Sequence, residues 1–131
     1  MILRYTILYV EDVAATLDFY ERAFGLKRSF LHASGDYGEL ATGDTKLAFS
    51  SVELMKQLGK KPGKPVLQAP VFEIAFETDD VQAAFDRAVA AGAKPVQQVR
   101  DEPWGQTTAY AGDLNDYLVE ICSPVQLPSA G

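Results

Sequence analysis

Two glutamates, Glu73 and Glu120, each stand between apolar neighbours in a strand-like run. Glu73 occurs in VFEIAF (71–76) and Glu120 in DYLVEICS (116–123). Successive side chains of a strand point to opposite faces, so the apolar neighbours turn to one face and the acid to the other. Such an acid is either solvated on the wet face of a sheet or directed into a ligand site, where a carboxylate holds a cation or moves a proton.

Three further side chains capable of chemistry occur once each in the sequence: His32, Trp104 and Cys122. His32 could act as a general base if its strand lines a site, and we favour the alternative of an exposed or packed histidine. Cys122 has no base near it in sequence, so we expect a buried thiol acting as a small hydrophobe. Trp104 in EPWGQT (102–107) either anchors the core or stacks on a flat ligand.

Composition and charge restrict the class of protein. The chain has 131 residues, 47% hydrophobic content and a net charge of -6, which predicts one ordinary domain. This acidic balance argues against a nucleic-acid partner, because phosphate binding is largely driven by cations. The apolar run at the start is too short to cross a bilayer, and a single cysteine fits a reducing compartment. We therefore expect a cytoplasmic protein with no membrane partner.

The elements that would position these residues form an internal repeat. Residues 5–27 and 73–94 both read as a strand, a turn and an amphipathic helix, and a shift of 68 residues places Val13 on Val81. Three strand candidates follow each helix: 27–33, 37–42 and 45–51 in the first half, and 94–99, 106–112 and 116–123 in the second. The predicted organisation is a first module (1–52), a linker (53–70), a second module (71–125) and a flexible tail (126–131), together forming one domain.

Capping residues mark the ends of both predicted helices. Asp12 precedes the first helix, and either Asp79 or Asp80 precedes the second, where a side-chain oxygen can accept from the first turn. Gly25 and Gly92 stand just past the helix ends, where a left-handed residue is usual. These glycines are therefore predicted to be helix stops rather than phosphate-binding loops.

Several of these segments resemble the glyoxalase, bleomycin-resistance and extradiol-dioxygenase superfamily, also called the vicinal oxygen chelate proteins. The resemblance lies in DVAATLDFYERAFGL (12–26), FEIAFETDD (72–80), WGQTTAYAGD (104–113) and LVEI (118–121). It implies an α+β fold in which two βαβββ modules form a curved eight-stranded mixed sheet around a cup. It also implies that a homodimer often completes the cup.

The resemblance also locates four positions from which metal-using members hold an ion, and here they are occupied by Tyr5, Ala48, Glu73 and Glu120. Ala48 has no ligand atom, and a phenol with a pKa near 10 is a poor ligand at neutral pH. Two carboxylates alone would hold an ion weakly, so we expect no catalytic metal and no cofactor. If a divalent metal binds, Glu73 and Glu120 are its expected ligands, and their hardness favours Mg or Mn over Zn or Ni.

Two classes of function follow from the resemblance. The first is a module that binds a small planar or cationic organic molecule in a cup carrying Glu73 and Glu120, with these side chains as further lining: Tyr5, Ile7, Tyr9, Ala48 and Trp104. The second is an enzyme of the same superfamily, either a metal-dependent lyase or isomerase like lactoylglutathione lyase, or a dioxygenase. A metal-free enzyme with Glu120 or Glu73 as catalytic base, and a protein acting only through its surface, are the remaining alternatives.

Overall fold

Eight strands and three helices follow one another in residues 1–125, the part of the chain that the computed structural model describes. The predicted tail at 126–131 lies outside these residues. The order is β1 (Tyr5–Val10), α1 (Val13–Phe24), β2 (Arg28–Leu31), β3 (Tyr37–Leu40), β4 (Lys46–Ser51), α2 (Val52–Gln57), β5 (Glu73–Glu77), α3 (Val81–Ala90), β6 (Lys94–Glu102), β7 (Gln106–Gly112) and β8 (Leu118–Cys122). No helix among the described residues is long and apolar enough to cross a membrane.

The strands form two four-stranded mixed sheets with the same topology. The first has the order β1-β4-β3-β2 and the second the order β5-β8-β7-β6. In each sheet the strand before the long helix pairs in parallel with the last strand of its module, and the other neighbours are antiparallel. The predicted α+β class with two βαβββ modules is confirmed. The eight strands belong to two sheets, one in each module.

The chain divides into two compact units, Met1–Lys64 and the part that begins at Pro65. The segment predicted as a linker, 53–70, is shared between them, because α2 occupies its first residues and belongs to the first unit. Ser51 caps α2 by accepting a hydrogen bond from the Leu54 N–H at 3.0 Å.

Both long helices begin and end at the residues that capping chemistry predicts. Asp12 accepts from the Ala15 N–H and Asp80 from the Ala83 N–H, each at 3.0 Å, which selects Asp80 over Asp79 as the cap of α3. Gly25 closes α1 in the left-handed conformation with φ 70°, and Gly92 follows α3 with φ 110°. Glycine adopts these angles without the steric cost that a Cβ imposes.

Each sheet buries one face under its own long helix. In the first module, Leu17 and Tyr20 of α1 are fully buried, as is Phe49 of β4, whose ring lies 5.1 Å from that of Tyr20. Gly38 of β3 lets α1 approach closely, since a Cβ there would lie 2.7 Å from the Leu17 Cδ1 atom. In the second module the buried set is smaller in volume and includes Val81, Phe85, Ala88, Val119 and Ile121.

Candidate functional site

The face of each sheet opposite its long helix, called here the far face, carries the polar side chains of interest. In β8, Val119 and Ile121 are buried on the helix side, so Glu120 points to the far face. Ala75 pairs with Glu120, and Glu73 lies two residues before Ala75 in the neighbouring strand. The structure therefore brings Glu73 and Glu120 to the same face of adjacent strands, as the alternation of residues predicted.

A tyrosine that sequence reasoning missed links these two acids. Tyr110 of β7 pairs with Glu120, and its hydroxyl donates a hydrogen bond to the Glu120 Oε2 atom at 2.5 Å. Partial burial, the hydrogen bond and charge of Glu120, and the nearby Glu73 all raise the pKa of Tyr110 above its ordinary value. The phenol therefore stays protonated at neutral pH and remains a donor. We call Glu73, Tyr110 and Glu120 the acid–phenol cluster.

The register of β7 decides which of its other side chains accompany Tyr110. Thr108 pairs with Cys122, so the alternation places Gln106 and Thr108 on the far face together with Tyr110. Thr108 donates to the Glu102 Oε1 atom at 2.9 Å. Arg100 donates to the same carboxylate at 2.6 Å, and this contact lowers the pKa of Glu102.

Cys122 is the far-face residue that follows Glu120 on the same strand. It is 7% exposed, and its Sγ atom lies 3.6 Å from the carbonyl oxygen of Phe76. Burial, followed by the charge of Glu120, raises the pKa of the thiol. The expectation of a buried thiol is confirmed.

The far face of the first sheet is aromatic where that of the second is acidic. Tyr5, Ile7 and Tyr9 alternate with buried residues of β1 and all point to this face. Ala48 pairs with Ile7 and is completely buried among its neighbours. Its methyl group therefore provides a small apolar position in the middle of this face.

Two lysines lie beside these aromatic side chains. Lys46 pairs directly with Tyr5 in the ladder between β1 and β4. The Lys60 Nζ atom lies 5.4 Å from the centre of the Tyr9 ring and donates to the Tyr9 hydroxyl at 3.1 Å. A resident cation on this face favours an anionic or neutral group over a second cation.

A second phenol–carboxylate pair occurs on this face and was also missed from the sequence. The Tyr37 hydroxyl donates to the Glu39 Oε2 atom at 2.8 Å, and both residues belong to β3. Burial, the hydrogen bond and charge of Glu39, and the neighbouring Tyr5 raise the pKa of Tyr37. Ala48 of β4 has no carboxylate, but Glu39, with which it pairs, supplies one on the neighbouring strand β3.

His32 and Trp104 both lie at turns. His32 is exposed, and its Nδ1 atom accepts from the Ser34 N–H at 3.0 Å, so the ring stabilises the turn after β2, in agreement with the favoured interpretation. Trp104 is 56% exposed, which excludes a role as a core anchor. Its Nε1 atom donates to the Oε1 atom of Gln106, a far-face residue, at 2.8 Å.

The residues at the four expected metal positions do not fit a metal ion. Ala48 offers a methyl group, Lys46 places a positive charge beside Tyr5, and the Glu120 carboxylate already accepts from Tyr110. Within residues 1–125, no group of three or more His, Cys, Asp or Glu side chains is arranged to hold a metal.

Comparison with known proteins gives matches over nearly the whole chain. A family model described as Glyoxalase/Bleomycin resistance protein/Dioxygenase superfamily matches residues 2–121. The uncharacterized protein YraH of Bacillus subtilis (strain 168) is 28% identical over 118 residues, which cover 87% of this chain and 91% of that protein.

Solved structures agree with this match at the level of the fold. A glyoxalase-related enzyme from Fulvimarina pelagi aligns over 99% of both chains with a TM-score of 0.81 and 20% identity. A glyoxalase/bleomycin resistance protein/dioxygenase family enzyme from Burkholderia phytofirmans PsJN aligns over 92% of this chain and 97% of that chain, with a TM-score of 0.75 and 21% identity. At these identities the likeness concerns the fold alone.

Proposed function

Because this chain belongs to the Glyoxalase/Bleomycin resistance protein/Dioxygenase superfamily, we propose that it binds a small planar or cationic organic molecule at the acid–phenol cluster, without a catalytic metal. The observation that carries the proposal is the hydrogen bond from Tyr110 to Glu120, with Glu73 beside the same phenol. Two carboxylates around one protonated phenol form a region of negative charge that an organic cation would neutralise.

Pre-organisation strengthens such a site. The hydrogen bond from Tyr110 fixes one oxygen of the Glu120 carboxylate, so less side-chain entropy is lost when a ligand binds to the other oxygen. Charge-assisted hydrogen bonds to a fixed carboxylate are about twice as strong as neutral ones. The net charge of -6 adds a long-range attraction that raises the association rate of a cation.

By itself, the aromatic far face of the first sheet is suited to contacts with a flat organic molecule. Tyr5, Ile7 and Tyr9 offer rings and an aliphatic side chain there, and the buried Ala48 adds no polar atom. In the second module, the exposed Trp104 ring would stack on a flat ligand. A cup and its completion in a homodimer are parts of the proposal that derive from the superfamily, whereas a cytoplasmic location derives from the single cysteine.

Calorimetric titration with proflavine, a planar cation, tests the charge requirement. Glu120→Gln should weaken proflavine binding about tenfold, because it removes the charge while keeping an oxygen that accepts from Tyr110. Acridine, which has the same ring system and is uncharged at neutral pH, should bind the wild type and the variant alike.

The matched control is Glu77→Gln, which removes an exposed charge from the same strand and face as Glu73. It should change proflavine affinity only slightly, because an exposed charge is well screened. Equal losses of proflavine affinity in Glu120→Gln and Glu77→Gln would show that only the net charge of the protein matters, which would contradict the proposal. Loss of folding in Glu120→Gln would show that this acid is structural.

Metal dependence is tested separately by elemental analysis of protein purified without chelator. We expect substoichiometric metal, and we expect the melting temperature to stay the same after treatment with EDTA, because a bound ion stabilises a fold by mass action. A stoichiometric metal whose removal lowers the melting temperature would contradict the metal-free part of the proposal.

A further inference from the structure

Leu67 packs against a glycine on the far face of the second sheet. Gly112 ends β7 and pairs with Leu118. It lies two residues after Tyr110, so a side chain at this position would point to the far face. A Cβ at Gly112 would lie 2.5 Å from the Leu67 Cδ2 atom and 3.1 Å from its Cδ1 atom. Only glycine at this position leaves room for Leu67.

The segment that carries Leu67 crosses one end of this sheet. Leu67 lies against β7, the chain enters β5 at Glu73, and β8 lies between these two strands. The connection is compact, because the Ala69 N–H donates to the Val66 carbonyl at 3.0 Å. Residues 67–72 therefore pass over the beginning of β8, next to Leu118.

A shallow depression of about 190 Å³ lies along this crossing. It is lined by Pro70, Val71, Phe72, Glu73 and Leu118. The depression thus contains one acid of the acid–phenol cluster, and apolar side chains of the crossing segment surround it. Gly112 is two residues from Tyr110, about 7 Å along the strand, so Leu67 stands at the end of the same cluster.

The geometry points to Leu67 as a residue that determines ligand size at this site, an inference that rests on the proposed function. Its side chain forms an apolar wall at one end of the acid–phenol cluster, and Gly112 allows it to stand there. A cation with a single ring fits between this wall and the carboxylates. A longer fused-ring cation meets the wall and binds more weakly, so wild type binds cations of both sizes but favours the shorter one.

Two planar cations of different length test the wall: benzamidine, with one ring, and proflavine, with three fused rings. Calorimetric titration of wild type and Leu67→Ala gives the ratio of their dissociation constants. Leu67→Ala should shift this ratio about tenfold toward proflavine, because the wall is removed for the long ligand and an apolar contact is lost for the short one.

Gly112→Ala provides an independent variant, since the new methyl group displaces the Leu67 side chain. It should shift the ratio in the same direction as Leu67→Ala. Gly63→Ala is the matched control, because a Cβ at Gly63 would meet nothing within 4 Å. It should leave both dissociation constants at their wild-type values.

The outcomes separate this inference from the proposed function. If wild type binds the probes and Leu67→Ala leaves the ratio unchanged, or shifts it toward benzamidine, the wall is overturned while the binding function stands. If wild type binds neither probe, the proposed function fails and the inference fails with it. A shift toward proflavine in both Leu67→Ala and Gly112→Ala, without one in Gly63→Ala, supports the wall.

Discussion

The two modules share one topology but carry different chemistry on their far faces. Where the first module has Tyr5 and Ala48, the second has Glu73 and Glu120 at the equivalent positions. The far face of the first sheet is aromatic and has lysines beside Tyr5 and Tyr9, whereas the far face of the second sheet is acidic. The helix-side pattern that specifies the fold is kept in both, so the opposite side of each sheet is free to diverge toward function.

Both modules contain a phenol that donates to a carboxylate, but the two pairs are placed differently. In the second module the phenol of β7 and the carboxylate of β8 meet across strands, as Tyr110 and Glu120. In the first module both partners lie in β3, as Tyr37 and Glu39, and Glu39 faces Ala48 of β4. The carboxylate of the first module therefore lies on β3. That of the second module lies on β8, next to Glu73 of the neighbouring strand β5.

The helix sides differ in the size of their side chains. The shift of 68 residues places Tyr20 on Ala88, and both are fully buried. Tyr20 packs with Phe19, Phe24 and Phe49 at ring-centre distances of 5.1 to 5.7 Å. The first module thus depends on aromatic packing under α1, whereas the second fills the same place with a methyl group.

Removal of Tyr20 is expected to have the largest effect on stability. Tyr20→Ala should lower the free energy of unfolding by about 3 to 5 kcal/mol, because it leaves a large cavity among rings that cannot collapse into it. Urea denaturation measures the change. Asp18→Ala, on the exposed side of the same helix, should cost less than about 1 kcal/mol, since its contact with Arg22 is a surface ion pair. Similar losses in both variants would contradict the aromatic anchoring of α1.

The glycines of the third strands should respond differently to an added methyl group. Gly38→Ala should cost about 1 to 3 kcal/mol, because the new Cβ meets the fully buried Leu17 at 2.7 Å. Gly112→Ala should cost less, because the half-buried Leu67 can move toward solvent. The comparison is made by urea denaturation of both variants. An equal or larger loss at Gly112 would mean that Leu67 is part of the core.

Much of this fold could be predicted because its determinants are local. The caps Asp12 and Asp80, the glycine stops, and the alternation around Glu120 are set by neighbours within a few residues in sequence. The order of strands followed from the resemblance, which carries the topology as a whole.

The missed residues depend on contacts between distant segments. Tyr110 joins the cluster through the register of β7 against β8, which the alternation of residues within β7 alone does not determine. Leu67 meets Gly112 across 45 residues of sequence, through a segment with no regular structure. The motif YGE at 37–39 was a signal for the pair Tyr37 and Glu39, since residues two apart in a strand share a face.

The two helix caps should contribute about equally to the free energy of unfolding. Their removal therefore tests whether the two modules start their long helices in the same way. Asp12→Ala and Asp80→Ala should each lower the free energy of unfolding by about 1 kcal/mol, because each leaves an N–H of the first turn without its acceptor. Urea denaturation can resolve this difference. Asp12→Asn and Asp80→Asn should retain most of the stability, since the amide oxygen also accepts. A loss at only one cap would show that the other helix start is held by packing.

The smallest expected effect on stability occurs only in alkaline solution and involves the two phenol–carboxylate pairs. The pKa of Tyr37 and of Tyr110 is raised in the folded protein by burial and by the adjacent carboxylate. Above about pH 10 the unfolded chain loses these protons while the folded state keeps them, so stability falls as pH rises. Below that pH the contribution is fully present, and no change is expected near neutrality.

Ultraviolet titration of tyrosinate can assign these two phenols among the six tyrosines. Tyr37→Phe and Tyr110→Phe should each remove one group from the late-ionising fraction. Glu120→Gln should make Tyr110 ionise earlier and leave Tyr37 unchanged, and Glu39→Gln should do the reverse, because each acid accepts from its own phenol. If Glu120→Gln leaves the titration of Tyr110 unaltered, then burial alone sets its pKa, and the carboxylate is not held by the phenol as the proposed ligand site requires.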